Sequence, residues 1–116
     1  MAESKRQEIE RAAWDARAKS YDKNVMGTFE EAYRLTSAAI LKYVKPDSKV
    51  LEIGCGTGIV TLSVAPHVKE ISAVDISPKM IAIAREKAAM RETLNVDFRV
   101  EDAYNLSFGN NVFDMV

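Results

Sequence analysis

Cysteine and histidine each occur only once in the sequence, as Cys55 and His67. A single cysteine excludes an intramolecular disulfide, and one residue of each type is too few for a Cys/His zinc site, so we expect no metal. No run of about 18 apolar residues is present, so we expect neither a membrane-spanning helix nor a membrane partner. The first residues carry charge (Glu3, Lys5 and Arg6) where a secretory signal would be apolar, which favours a cytoplasmic location.

An excess of positive charge is also missing. The chain carries 16 Lys and Arg against 17 Asp and Glu, a formal net charge of −1. Domains that bind nucleic acid usually carry a basic surface, so this balance argues against a nucleic-acid partner. The length of 116 residues and the 47% hydrophobic content fit one small globular domain. Within it we predict a helical segment over residues 1–45 and a ligand-binding core over residues 46–116.

Glycine is rare as well, at five residues, yet three of the five fall at alternate positions of one stretch, Gly54, Gly56 and Gly58. The apolar run Val50–Ile53 before them is typical of a buried parallel strand. The segment Ile59–Ala65 predicts a helix that begins directly after the glycines. Alternating glycines let the backbone turn sharply and let a ligand approach without meeting a Cβ. Together these features predict a nucleotide-type site at the carboxyl edge of a sheet.

The kind of nucleotide follows from what this turn lacks. The dinucleotide fingerprint G-x-G-x-x-G requires a further glycine where this chain has Ile59, and no lysine follows the turn as a phosphate-binding loop requires. Glu52 lies beside the turn, where it would repel a pyrophosphate and suits a ligand with a cationic amino group. A nicotinamide-dependent oxidoreductase therefore remains an alternative, but a less favoured one.

The pattern V-L-E-I-G-C-G-T-G, over residues 50–58, resembles the first motif of class I S-adenosylmethionine-dependent methyltransferases. The resemblance implies an α/β fold, a Rossmann-like three-layer sandwich, with S-adenosylmethionine as cofactor. It implies that the loop surrounds the methionine half, that the next helix faces the carboxylate, and that Glu52 helps to hold the ammonium group. The loop residues expected to contact the cofactor are Gly54, Cys55, Gly56, Thr57 and Gly58.

The second predicted strand, Glu70–Asp75, ends in an acidic residue about twenty positions after the glycine turn. A carboxylate at this place typically accepts hydrogen bonds from ribose hydroxyls, and it can accept two at once. We therefore predict that Asp75 binds the ribose. Ile76 follows it and is expected against the adenine face, and Met80 in the next helix is part of the same predicted cofactor site.

A helix from Pro78 to about Glu92 follows, with Ser77 as its cap and proline at its first position. The third predicted strand is Asn95–Val100, in which apolar residues alternate. In the family that this chain resembles, an acidic–alanine pair after this strand recognises adenine, and the carboxylate accepts a hydrogen bond from the exocyclic amine. Asp102 and Ala103 occupy those positions.

The amino-terminal segment contributes aromatic side chains. Residues 4–19 predict a helix, Asn24–Gly27 predicts a break, and Thr28 predicts the cap of a second helix. Trp14 and the later pair Tyr21-Asp22 resemble the leading segment of many small-molecule methyltransferases. The resemblance implies that this segment folds over the cofactor, that Tyr21 lines the pocket and that the methyl acceptor is a small molecule.

Alternating strands and helices predict a parallel sheet with right-handed crossovers. With a fourth strand at Val112–Val116, the family order is 3-2-1-4, and Glu52, Asp75 and Asp102 are expected to share one groove at the strand ends. The sequence stops within that fourth strand, which indicates the amino-terminal part of a larger protein. We expect catalytic residues beyond Val116 and name none here.

An incomplete sheet exposes the edge of its last strand, and exposed edges favour pairing with another chain. We therefore expect self-association through that edge. The alternative to an enzyme is a non-catalytic module that binds a cofactor or a partner with the same fold.

Overall fold

Three parallel strands form the centre of the computed structural model, which describes residues 2–116. In chain order the elements are helix α1 (Lys5–Ala18), helix α2 (Tyr21–Leu41), strand β1 (Lys49–Ile53), helix α3 (Ile59–Val64), strand β2 (Glu70–Asp75), helix α4 (Pro78–Met90) and strand β3 (Val96–Val100). The strands lie in the order β1-β2-β3. Leu51 is opposite Ser72 in the first pair, and Ala73 is opposite Phe98 in the second.

Capping side chains fix where α1 and α4 begin. At α1 the Ser4 hydroxyl accepts the backbone N–H of Gln7 at 3.1 Å, and the Gln7 side chain accepts the Ser4 N–H at 2.8 Å. At α4 the Ser77 hydroxyl accepts the Met80 N–H at 3.1 Å, and Pro78 is the first helical residue. The predicted starts of both helices are therefore confirmed.

Helix α2 differs from its prediction, because it runs through Asn24–Gly27 without a break and so Thr28 does not cap it. The Asn24 N–H donates to the Ser20 carbonyl at 3.0 Å, so helical hydrogen bonding is already established there. Glycine costs a helix only about 1 kcal/mol relative to alanine, which packing of α2 against α3 outweighs. Neither α2 nor any other helix within residues 2–116 combines the length and apolarity needed to cross a bilayer.

Apolar side chains between the sheet and its helices form the core. One cluster joins Leu62 of α3, Ile81 of α4 and Phe98 of β3. A second cluster includes Val50 of β1, and Ile40 of α2 packs against it. Burial of each large aliphatic side chain contributes about 1.5–3 kcal/mol, so these contacts hold α3 and α4 firmly on the sheet. The carboxyl ends of the strands, with the glycine turn, lie at the border of this core.

The predicted fourth strand is not formed. Over Val112–Val116 a single parallel bridge joins Met115 to Val50, although the Leu51 N–H donates to the Met115 carbonyl at 2.9 Å and the Asp114 N–H donates to the Lys49 carbonyl at 2.8 Å. The segment thus lies beside β1, where the order 3-2-1-4 places it. It has a partner on one side only and remains largely exposed, which is too little support for a regular strand.

Candidate functional site

A cavity of about 240 Å³ lies at the carboxyl ends of the three strands. Open α/β sheets bind their ligands at this edge. Helix α1 contributes Glu10 and Trp14 to the lining, and the turns after the strands contribute most of the rest. Eight of the predicted site residues line this cavity: Tyr21, Gly54, Gly56, Asp75, Ile76, Met80, Asp102 and Ala103.

The three glycines of the turn all have left-handed backbone conformations, with φ of 78° at Gly54, 57° at Gly56 and 82° at Gly58. The N–H groups of Gly54 and Cys55 donate to the Val74 carbonyl at 2.8 and 3.0 Å, which anchors the turn on β2. A Cβ at Gly54 or Gly56 would meet no heavy atom within 4 Å, whereas one at Gly58 would lie 3.3 Å from the core. Gly54 and Gly56 therefore present bare backbone to open space, and Gly58 serves close packing.

Asp75 joins the glycine turn to the start of α4. One carboxylate oxygen accepts the Gly56 N–H at 2.9 Å, and the other accepts the Ser77 N–H at 3.0 Å. A carboxylate has about four lone-pair sites, so two backbone hydrogen bonds leave capacity for two more. Asp75 can therefore fix the turn and accept ligand hydroxyls at the same time.

Asp102 is already engaged by helix α1. Its carboxylate accepts hydrogen bonds from the Arg6 guanidinium, from the Gln7 side chain at 2.9 Å and from the Tyr104 N–H at 3.2 Å. The hydrogen bond from Arg6, followed by those from Tyr104 and Gln7, lowers the pKa of Asp102 below its ordinary value. An adenine amine at this carboxylate would therefore meet α1.

Glu52 lies apart from this cavity. Its carboxylate accepts a hydrogen bond from the Thr61 hydroxyl of α3, and it lines a second, largely apolar cavity of about 350 Å³. Successive side chains of a strand point to opposite faces, so Glu52 faces the same side as Val50, which is buried in the core. Contrary to the expectation of one groove, Glu52 does not line the cavity that Asp75 and Asp102 share in this structure, and its contact with the cofactor stays a prediction.

Sequence comparison points to one family. Residues 50–116, more than half of the chain, match the family model described as a methyltransferase domain. The chain belongs to the class I S-adenosylmethionine-dependent methyltransferases. The matched range contains the glycine turn, Asp75 and Asp102, and the predicted α/β, Rossmann-like fold class is confirmed.

Curated relatives and solved structures resemble most of this methyltransferase chain. An uncharacterized methyltransferase of Schizosaccharomyces pombe, C1B3.06c, is 34% identical over 69% of this chain and 32% of its own. The ubiquinone/menaquinone biosynthesis C-methyltransferase UbiE of Zymomonas mobilis is 30% identical over 71% of this chain and 35% of its own. The DhpI–SAH complex matches with a TM-score of 0.66 and 27% identity, over 82% of this chain and 44% of DhpI. The chain thus spans about a third of the length of these curated relatives.

Other matches act on different molecules. One is a ribosomal protein L11 methyltransferase of Ruminiclostridium cellulolyticum, 30% identical over 74% of this chain and 31% of its own. Another is the [4+2]-cyclase SpnF, whose structure has a TM-score of 0.66 and 32% identity over 72% of this chain and 32% of its own. The fold therefore hosts more than one acceptor and more than one reaction, and function must be argued from the site.

S-adenosylmethionine is the cofactor of this family, and the cavity residues fit its parts. Bare backbone at Gly54 and Gly56 allows close approach, the Asp75 carboxylate has free lone pairs, and Ile76 offers apolar surface to a base. The volume of about 240 Å³ lies below the roughly 300 Å³ at which small-molecule pockets usually begin. Trp14 and Glu10 of α1 line this space, so the room for the cofactor depends on the position of α1.

Burial raises the pKa of Glu52 above its ordinary value of 4.5. The hydrogen bond from Thr61 acts in the opposite direction, and the nearby charge of Asp75 adds to the rise. Well below 4.5 both the folded and the unfolded carboxyl are protonated. Above 4.5 the unfolded state ionises first, so this group lowers folding stability as the pH rises, until the folded carboxyl also loses its proton.

We expect the substitution Glu52→Gln to remove this pH-dependent loss of stability. Glutamine stays neutral and can still accept the Thr61 hydrogen bond, so the free energy of unfolding of the variant should rise relative to wild type as the pH increases above 4.5, until the folded wild-type carboxyl has also ionised. Urea unfolding of both proteins at several pH values measures the difference between their free energies of unfolding. The contributions of the other carboxylates are the same in both proteins and cancel in this difference. A difference that stays constant with pH would show that burial of Glu52 has no such effect.

Three other predicted contacts lie outside the cavity lining. Cys55 is buried in the core beside Leu62, and burial raises the pKa of its thiol. The Thr57 hydroxyl donates to Asp22 at the start of α2. Gly58 packs near α4 and β3. Their contacts with the cofactor stay predictions.

The structure also places residues at the cavity that the sequence prediction did not assign to it. The Trp14 ring packs edge-on against Tyr21 with a centroid distance of 6.5 Å, and the Arg6 guanidinium lies 4.8 Å from the centre of the Tyr104 ring. The position of Trp14 could have been predicted from the sequence, because it lies in the aromatic amino-terminal segment. The remaining positions have no distinctive sequence pattern. The added lining residues are Glu10, Trp14, Ile53, Val74, Glu101 and Tyr104.

Proposed function

We propose that this methyltransferase chain binds S-adenosylmethionine in the cavity at the strand ends, and that the protein transfers the methyl group to a small-molecule acceptor. The observation that carries the proposal is the pairing of Asp75 with the glycine turn. Bare backbone at Gly54 and Gly56 lies beside a carboxylate that retains lone pairs for further hydrogen bonds. This combination suits a nucleoside whose ribose hydroxyls are free, without a phosphate nearby.

The proposed roles of the side chains are to bind and to orient. When bound, S-adenosylmethionine supplies the methyl group to be transferred. Asp75 accepts hydrogen bonds from the ribose hydroxyls, Asp102 accepts one from the adenine amine, and Ile76 packs against the base. Alignment of the reacting atoms provides much of the rate enhancement in such a displacement. Glu52, proposed for the ammonium group, must turn away from Thr61 to reach this cavity.

A small-molecule acceptor is favoured by the charge around the cavity. The carboxylates of Glu10, Asp75, Glu101 and Asp102 all belong to its lining. A nucleic-acid acceptor brings phosphates, and proteins bind these through Lys and Arg rather than through acidic groups. The relative UbiE, named for ubiquinone and menaquinone biosynthesis, is consistent with an acceptor of low molecular weight.

Two further expectations concern a function without catalysis and self-association. The comparisons do not favour the non-catalytic module, since the family model and the curated relatives are methyltransferases by name. Self-association through the strand edge stays a prediction, which size-exclusion chromatography with light scattering tests.

Calorimetric titration with S-adenosylhomocysteine, the demethylated form of the cofactor, tests the binding part of the proposal. We expect saturable binding of S-adenosylhomocysteine and none of NAD. The substitution Asp102→Ala should weaken binding about tenfold or more, the effect of losing one hydrogen bond to a charged group. Arg6→Ala should strengthen it several-fold, because the carboxylate is then released from α1.

Lys5→Ala is the matched control for Arg6→Ala. Lys5 lies on the same helix, its side chain is 81% exposed, and its one ion pair within residues 2–116 is with Glu8, so affinity should not change. Binding of NAD alone would refute the proposal. If Asp102→Ala and wild type bind S-adenosylhomocysteine with equal affinity, Asp102 does not bind the adenine. Methyl-transfer assays with low-molecular-weight acceptors against RNA and protein then test the acceptor class.

A further inference from the structure

Three side chains from distant parts of the chain meet behind the glycine turn. The Thr57 hydroxyl donates to one carboxylate oxygen of Asp22, in the first turn of α2. The Lys87 ammonium of α4 donates to the other oxygen of Asp22 at 2.7 Å and lies 3.4 Å from the Thr57 hydroxyl. We call this set, Asp22, Thr57 and Lys87, the turn anchor.

The turn anchor is partly shielded from water. Thr57 is only 1% exposed, the Lys87 side chain is 20% exposed and the Asp22 side chain is 36% exposed. A buried hydroxyl without a partner costs stability, and a partly buried lysine needs an opposite charge. Asp22 meets both needs with its two oxygens. No other side-chain acceptor for the Thr57 hydroxyl is found in the described part of the chain, so loss of Asp22 would leave this residue of the turn without its partner.

Adjacent residues of the turn are thus held by two different carboxylates. Gly56 donates its N–H to Asp75, which lines the cavity, and Thr57 donates its hydroxyl to Asp22, which does not. The two carboxylates come from elements that are separated in sequence by more than fifty residues. Tyr21, the neighbour of Asp22, lines the cavity itself. Of the pair Tyr21-Asp22, the first residue therefore lines the cavity and the second binds the turn through Thr57.

We propose that Asp22 is a positioning residue for cofactor binding. Through Thr57 it holds the glycine turn in the conformation that leaves the backbone of Gly54 and Gly56 open to the cavity. The ammonium of Lys87 holds the Asp22 carboxylate in place through their 2.7 Å ion pair. This inference rests on the proposed cofactor site, and it gives α2 a role beyond covering the core.

The test compares paired substitutions by titration with S-adenosylhomocysteine. Asp22→Ala and Thr57→Val should each bind about tenfold more weakly or worse, the effect of losing a hydrogen bond to a charged group. Thr57→Ser keeps the hydroxyl and should restore affinity to within about twofold of wild type. Glu31→Gln, which breaks the exposed Glu31–Arg34 pair on the same helix, is the matched control and should leave affinity unchanged.

A second measurement follows the turn itself without any ligand. Amide resonances of Gly54 and Gly56 in ¹H–¹⁵N spectra should shift in Thr57→Val and stay close to wild type in Thr57→Ser and Glu31→Gln. If wild type does not bind S-adenosylhomocysteine but these glycine shifts appear, the proposed function fails while the positioning role of the turn anchor stands. Folded Thr57→Val with wild-type affinity and unshifted glycine amides would overturn the inference, and so would failure of Thr57→Ser to restore binding. If Asp22→Ala does not fold, the comparison of Thr57→Val with Thr57→Ser decides the question, because it removes the same hydrogen bond from its other side.

Discussion

Gly58→Ala is expected to destabilise the fold by about 2–5 kcal/mol. The backbone at Gly58 has a φ of 82°, where an L-residue costs roughly 1–2 kcal/mol. A Cβ there would lie 3.3 Å from the Ala84 Cβ and 3.3 Å from the Phe98 ring, and overpacking of a core costs typically about 1–3 kcal/mol. Thermal unfolding monitored by circular dichroism should show a melting temperature about 8 °C lower or more, since 1 kcal/mol corresponds to about 4 °C in a domain between the 60–100 and 150–250 residue classes.

The matched control is the same substitution at Gly27. This glycine lies inside α2, and a Cβ there would meet nothing within 4 Å. Gly27→Ala should therefore stabilise the protein by about 0.4–1 kcal/mol, because alanine favours the helix and restricts the unfolded chain. Opposite signs at the two positions are the expected result. A Gly58→Ala protein as stable as wild type would contradict the assignment of Gly58 to core packing.

The glycines of the turn have different structural roles, and they show which features can be predicted from the sequence. Alternation of Gly54, Gly56 and Gly58 predicts a tight turn, and the structure has one, because positive φ is a local property. The alternation cannot separate the two glycines at the cavity from the one in the core, since that depends on Ala84 and Phe98. Helix starts at Ser4 and Ser77 were predictable for the same local reason.

Two mispredictions have different causes. The proposed break at Asn24–Gly27 gave too much weight to a propensity of about 1 kcal/mol, which tertiary packing of α2 outweighs. The orientation of Glu52 was within reach of the sequence, because period-two alternation places it on the face of Val50 and therefore towards α3.

Contacts between segments that are far apart in the chain could not be predicted from the sequence. Arg6 and Asp102 are 96 positions apart, and Asp22 and Thr57 are 35 apart. Acidic and basic residues are too common in this chain for a pair to be selected by type alone. Only the packing of α1 and α2 over the strand ends brings these partners together. The residues predicted to bind the cofactor were therefore easier to identify from the sequence than the side chains that hold those residues in place.

Asp75→Ala is expected to have the largest effect on cofactor binding, with affinity for S-adenosylhomocysteine reduced about 100-fold or more. The substitution removes the proposed ribose acceptor and also the partner of the Gly56 and Ser77 N–H groups, and each hydrogen bond to a charged group is worth roughly 1.5–3 kcal/mol. Asp97→Ala is the matched control. Asp97 lies on β3, is about half exposed and pairs with Arg99, so calorimetry should find its affinity unchanged.

A ligand variant separates direct ribose binding from support of the turn. If Asp75 binds the ribose hydroxyls, wild type should lose about tenfold or more in affinity for the 2′-deoxy analogue of S-adenosylhomocysteine, whereas Asp75→Ala should bind both ligands equally weakly. Non-additive losses of this kind arise only when the two changed groups interact. Equal losses for the deoxy ligand in wild type and in Asp75→Ala would instead mean that Asp75 acts through Gly56 and Ser77, and that the ribose hydroxyls are bound elsewhere.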